Sequence, residues 1–163
     1  MRTFITLLFI LLFASFGTAQ NHSTLFAEGV ELMSRGEYEK ASATLEQALA
    51  IADEATELKT LFYLAQSQLL EGNTSKAVES YSKALDIKKD DNTLLTRRAE
   101  AYIKQGEHDR AIEDCTTVIR SQPNDTTALL VRAEAYSALK EYDKAKNDIN
   151  RILKLQPRNT DAR

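Results

Sequence analysis

The sequence predicts an all-α fold built from four helix–turn–helix repeats, and three observations predict it. First, Ala77, Ala111 and Ala145 stand 34 residues apart, with Ala41 a further 36 before Ala77. They sit in matching phrases: GEYEKASATLEQAL, GNTSKAVESYSKAL, GEHDRAIEDCTTVI and KEYDKAKNDINRIL. Self-similarity at a fixed period marks a repeat architecture. Second, each alanine is followed at helical spacing by further residues of one face. Leu45, Tyr81, Cys115 and Ile149 come four positions on, and Ala48, Ala84, Val118 and Ile152 three after those. Third, the 163 residues include only two prolines and five glycines. That is too little punctuation for a chain of short strands.

The first helix of each unit is the phrase opened by Leu25, Leu61, Leu95 or Leu129. Four positions on stands a small residue: Gly29, Ala65, Ala99, Ala133. Leu32, Gln68, Tyr102 and Tyr136 follow three later. The turn to the second helix carries Gly36, Gly72 and Gly106, and Lys140 in the fourth unit. Glycine there takes a left-handed conformation at no steric cost, so Lys140 is expected to bear a modest penalty. The second helix brings Ala41, Ala77, Ala111 and Ala145. Small residues on both helices permit close approach, with Gly29 or Ala65 expected to face Ala41 or Ala77. A large side chain in that seam would overpack it at about 1–3 kcal/mol. Pro123 and Pro157 are expected to stop the second helices of the last two units. The two extra residues between Ala41 and Ala77 are assigned to the first linker.

These residues resemble the tetratricopeptide repeat, a 34-residue helix–turn–helix unit. Residues 92–125 match through Leu95, Ala99, Tyr102, Ala111 and Pro123, and residues 126–159 through Leu129, Ala133, Tyr136, Ala145 and Pro157. Residues 22–55 and 58–91 match more loosely. Asp53 and Lys89 stand where the proline is usual, and Gln68 where the tyrosine is. The resemblance implies a right-handed α-solenoid of four repeats, stable because stacked units bury one another's apolar faces. It also implies a concave groove, lined by the first helices, that holds a protein or peptide partner. Carried over to this sequence, the groove residues are Phe26, Val30, Met33, Phe62, Gln66 and Leu69 in the first two units. The last two units offer Arg97, Glu100, Lys104, Leu130, Glu134 and Ser137. The alternative is that Phe26 and Phe62 are core, since helical spacing alone does not separate adjacent faces. Cytosolic co-chaperones of the family clamp a C-terminal carboxylate with Lys, Asn and Arg. The matching positions here are Phe26, Val30, Tyr63, Thr93 and Arg97, of which Arg97 alone agrees.

Outside the repeats, MRTFITLLFILLFASFGTAQ has one early charge, Arg2, an apolar run from Phe4 to Phe16, and small residues at Gly17 and Ala19. That pattern predicts a signal peptide over 1–19, cleaved after Ala19, and a secreted or periplasmic mature chain. The run is shorter than the roughly 20 apolar residues a spanning helix needs, so no stable membrane span is expected in the mature protein. The repeats then fill 22–159, leaving a short tail over 160–163. Net charge is −3 with both signs interspersed, which excludes a concentrated basic face for nucleic acid. The single cysteine, Cys115, is expected to be a small buried apolar residue. Arg98 and Arg132 precede the small alanines; pairing with acids such as Asp114 or Asp148 is favoured over an anion site. His22 and His108 lack metal-ligand spacing to another His or Cys. Asn21, Asn73 and Asn124 lie in N-x-S/T sequences, which matter only where the source glycosylates. No phosphate loop, nucleophile elbow or metal cluster appears, so no catalytic residue, cofactor or metal is expected. A second reading is structural: self-association through Ile152, Leu153 and Leu155 on a last helix with no polar cover.

Overall fold

A computed structural model describes residues 21–155, so the predicted leader, Pro157 and the tail over 160–163 lie outside the described residues. Among the described residues there are eight helices and no strand. α1 runs over 21–34, α2 Tyr38–Ala50, α3 Glu54–Glu71 and α4 Thr74–Ile87. α5 is Asn92–Gln105, α6 His108–Ser121, α7 Thr126–Ala138 and α8 Tyr142–Leu155. The chain divides into two compact units, Met1–Ile87 and Lys88–Arg163. The fold is an all-α helical repeat, as the spacing of small residues predicts.

Each turn inside a repeat closes the same way. Gly36, Gly72 and Gly106 have φ of 75°, 94° and 81°. The following amide reaches back to the helix: Glu37 N–H to Leu32 O, Asn73 to Gln68, Glu107 to Tyr102, at 3.0, 2.8 and 2.9 Å. This left-handed closure satisfies carbonyls that a helix end otherwise leaves bare. Lys140 adopts it too, at φ 63°, with Glu141 N–H donating to Tyr136 O at 2.8 Å. A side chain in that conformation is strained, so Lys140→Gly is expected to stabilise the chain by about 1 kcal/mol in urea unfolding.

The turns between repeats carry the opposite signal. Asp53, Asp91 and Asp125 accept from the amides of Thr56, Leu94 and Ala128 at 2.9, 3.0 and 2.8 Å. Each aspartate thus occupies one donor of the next helix's first turn. At Asp53 the Thr56 side chain completes a capping box. The hydrogen bond from the Thr56 hydroxyl holds the Asp53 carboxyl below its ordinary value. That stabilisation is present above the unfolded pKa and is lost as pH falls through the folded one.

The structure corrects the origin of the longer first interval. The link between α2 and α3 is the short stretch 51–53; the two added residues are not there. They lie in α3, which has 18 residues where α5 has 14 and α7 has 13. Asp53, where the repeat pattern lacks its proline, is the cap that starts this longer helix.

The small-residue seam is buried throughout: Gly29, Ala41, Ala65, Ala77, Ala99, Ala111, Ala133 and Ala145. The partner of Gly29 differs from the expectation. A Cβ built there would stand 2.6 Å from Leu45 Cγ and 2.8 Å from Leu45 Cδ2. Gly29 therefore makes room for Leu45, one helical turn beyond Ala41.

Candidate functional site

In unit 1 the predicted groove residues of α1 and α3 are all half-buried: Phe26, Val30, Met33, Phe62, Gln66 and Leu69. None is sealed in the core, and none is fully exposed. Two of them join through a residue that the spacing argument did not choose. Tyr63 stands edge-on to Phe26 across the two helices at 5.2 Å, and edge-on to its neighbour Phe62 at 5.5 Å. Phe62 also meets the fully buried Tyr81 of α4 at 6.3 Å. The Lys59 ammonium sits 4.7 Å from the Phe26 ring centre. Such contacts hold rings in place without hiding them from solvent. The result is a partly exposed aromatic surface with one cation at its edge.

A buried polar seam beneath this surface fixes how the helices sit. The Thr60 hydroxyl donates to Thr56 O at 2.8 Å, so His22 Nε2, 2.9 Å from Thr60 Oγ1, is the donor in that pair. His22, near the start of α1, is buried. The Ser42 hydroxyl donates to Ser67 Oγ at 3.1 Å, and Ser67 donates to Tyr38 O at 3.0 Å. Ser80 donates to Gln68 Oε1 at 2.8 Å.

In unit 2 the equivalent face is charged. Arg97 pairs with Glu100 at 3.0 Å, while Lys104, Leu130, Glu134 and Ser137 are exposed. A polar depression of about 430 Å³ opens at one end of this face, lined in part by Lys88, Asn92, Thr93, Arg97, Gln122 and Thr127. The predicted groove residues thus fall into a mostly apolar set in unit 1 and a mostly charged set in unit 2.

Arg98 and Arg132 are pairing residues. Arg98 makes two 2.8 Å bonds to Asp114, and Arg132 two 2.8 Å bonds to Asp148. Both arginines also lie over tyrosines 34 residues apart, Tyr102 and Tyr136, at 5.6 and 5.8 Å. In the second repeat the same positions hold Leu64, Gln68 and Ser80, where the neutral Ser80–Gln68 bond replaces the ion pair.

Cys115 is fully buried, and burial first, then the nearby Asp114 charge, pushes its thiol up to about 12. The folded pKa lies above the unfolded value of 9.0, so stability linked to this thiol is intact below pH 9.0 and declines as pH rises towards 12. The native chain is expected to resist a thiol-reactive dye at neutral pH and to react fully in urea. Reaction at equal rates in both would contradict the burial. Among the described residues no group of three or more His, Cys, Asp or Glu is placed to hold a metal ion. Nor is any described helix long and apolar enough to cross a membrane.

Comparison with known proteins agrees with this architecture. No curated protein sequence matches the chain. A tetratricopeptide repeat protein from Parabacteroides merdae ATCC 43184 superposes with a TM-score of 0.78 at 25% identity, over 86% of this chain and 56% of that one. The chain therefore spans little more than half the length of that relative. A MamA fragment from Desulfovibrio magneticus RS-1 superposes with a TM-score of 0.76 at 17% identity, over 83% and 76% of the two chains. The first repeat domain of Spaghetti (RPAP3), solved bound to the HSP90 peptide SRMEEVD, gives 0.60 at 28% identity, over 68% and 87%. Two family models described as tetratricopeptide repeat match residues 26–92 and 102–163. With its in-phase turns, small-residue seams and helical pairs, the chain belongs to the tetratricopeptide repeat family.

Proposed function

We propose that this chain is a non-catalytic protein-binding module that works outside the cytoplasm, and that unit 1 takes up an apolar stretch of a partner polypeptide. The fold mediates protein–protein contact in general, and one relative of this chain is solved with a peptide bound. The observation that carries the reading is the half-buried cluster of Phe26, Tyr63 and Phe62, flanked by Val30, Met33 and Leu69. Rings already fixed by their neighbours lose little freedom on binding, which favours aromatic anchors at a recognition surface. The face presents apolar groups where the carboxylate clamp requires Lys and Asn. Aliphatic and aromatic side chains suit it better than an acidic terminus. The single cation, Lys59, leaves room for one acid beside them.

The test is selection of displayed peptides on the full chain. Peptides with two or more apolar anchors are expected to be enriched. Val30→Glu and Phe62→Glu are expected to lose them while keeping the helical circular dichroism of the parent. Val30 is the cleaner site, because Phe62 also touches the core residue Tyr81. Capture unchanged in both variants removes this face from the account. The extracellular or periplasmic placement rests on the run from Phe4 to Phe16 and the small residues before Gln20. Its check is the intact mass of the exported chain, expected to lack residues 1–19.

A further inference from the structure

The outward face of α8 has the chemistry of a covered face. Tyr142, Lys146, Ile149 and Leu153 fall on one stripe at i, i+4, i+7 and i+11. Tyr142 is 65% exposed, Ile149 37% and Leu153 57%. Thirty-four residues earlier the stripe reads His108, Ile112, Cys115 and Ile119 on α6, which packs against both α5 and α7. There Cys115 is 0% and Ile119 8% exposed. In α4 the same two positions hold Tyr81 and Leu85, again buried. The sequence thus writes on α8 a face that on α6 receives α7.

The occupant follows from two hydrogen bonds that show how such a helix seats. Where α3 covers α2, Ser42 bonds Ser67 at 3.1 Å. Carried along the repeat, Ser42 corresponds to Lys146 on α8, and Ser67 to Glu31 on α1. Where α7 covers α6, Arg132 Nη1 donates to Thr116 Oγ1 at 3.1 Å. Thr116 corresponds to Asn150 on α8, and Arg132 to Glu28 on α1. The first helix α1 therefore carries an acid at each place where α8 carries a cation or an amide donor. Glu28, Glu31, Lys146 and Asn150 are all exposed. Among the described residues, Glu28, Glu31 and Lys146 have no ion-pair partner. Between these contacts α1 presents the small Ala27, which lets a helix approach Ile149 and Leu153 closely.

We propose that copies of this chain associate head to tail. The outward face of α1 in one copy seats on the Tyr142–Ile149–Leu153 stripe of another. Glu31 of one copy meets Lys146 of the other, and Glu28 accepts from Asn150. The contact joins two different surfaces, so each added copy leaves an α1 face and an α8 face open. Its polar pairs lie at the surface, which makes the association weak and sensitive to salt. The inference is independent of the peptide-binding reading, since it uses neither Phe26 nor Phe62.

The experiment is light scattering on the purified full chain over a range of concentration and salt, with variants that block one end each. The parent is expected to grow in mass with concentration and to shrink with added salt. Glu31→Lys and Leu153→Glu are each expected to remain monomeric alone and to form dimers when mixed, because the mixture retains one intact pair of faces. The double exchange Glu31→Lys with Lys146→Glu is expected to restore association. If Leu153→Glu loses its helical signal, Lys146→Glu takes its place in the mixing test. A parent that stays monomeric at every soluble concentration overturns the proposal. So does association that survives Glu31→Lys unchanged, which would instead assign the contact to α8 against α8.

Discussion

Asp148→Ala is expected to destabilise unit 2 by about 3 kcal/mol, more than the corresponding loss at the Arg98–Asp114 pair. The side chains of Arg132 and Asp148 are only 14% and 4% exposed, and two 2.8 Å bonds join them. Removing the carboxylate strands a guanidinium in a site where water reaches it poorly. Its remaining bond, to Thr116 at 3.1 Å, does not replace the lost charge. The Asp148 hydrogen bond leads the causes that hold the Arg132 pKa above its ordinary value; truncation removes that support, yet a guanidinium remains charged at neutral pH and bears the cost. Asp114→Ala should cost less, because Arg98 and Asp114 are more open, at 21% and 10%. Replacing both members, Arg132→Met with Asp148→Leu, is expected to come within about 1 kcal/mol of the parent, since no buried charge is then unpaired. Urea unfolding of the three variants decides the matter. A double replacement as damaging as Asp148→Ala would mean that packing around Tyr136, and not the pair, sets the loss.

The same two residues show where sequence reasoning reaches and where it stops. Spacing places Arg132 and Asp148 on adjoining helices of one unit, sixteen residues apart, and pairing was the cheaper fate for both. Periodicity also exposes the seam alanines, the turn glycines and the buried Cys115, because each obeys a rule of one position per repeat. Tyr63 obeys no such rule. It sits between two stripes, and only the crossing of α1 and α3 decides that it joins Phe26 to Phe62. The cap at Asp53 escaped for a related reason. It stands where the pattern expects proline, so it reads as a defect, although an aspartate followed three residues later by threonine is itself a helix-start signal. The reach of the α8 stripe was legible only in part. Ile152, Leu153 and Leu155 were the expected exposed set, whereas Ile152 is half-buried and Tyr142 and Ile149 complete the open face. One helical residue turns a side chain by about a quarter of the circumference, enough to move it from cover to solvent.

Gly29→Val is expected to destabilise unit 1 by about 3 kcal/mol, and Gly29→Ala by about 1 kcal/mol. The sign for alanine is the informative part. Inside an exposed helix that exchange gains roughly 1 kcal/mol, because glycine gives up more backbone freedom on folding. Here the new methyl would lie 2.6 Å from Leu45 Cγ, and Leu45 is wholly buried, so its branch point has nowhere to retreat. The overpacking cost exceeds the propensity gain, and valine adds two further methyl groups to the same space. Leu45→Ala alone should cost about 3 kcal/mol through the cavity it leaves. Joined to Gly29→Ala, it removes the atoms that the new methyl strikes, and the methyl fills part of the void. The double variant is therefore expected to be more stable than the sum of the singles by about 1 kcal/mol or more, a coupling that only residues in contact produce. Chemical unfolding of the four proteins closes the cycle. A stabilising Gly29→Ala, or strict additivity, would show that the first repeat closes with more space between its helices than the Gly29–Leu45 approach allows.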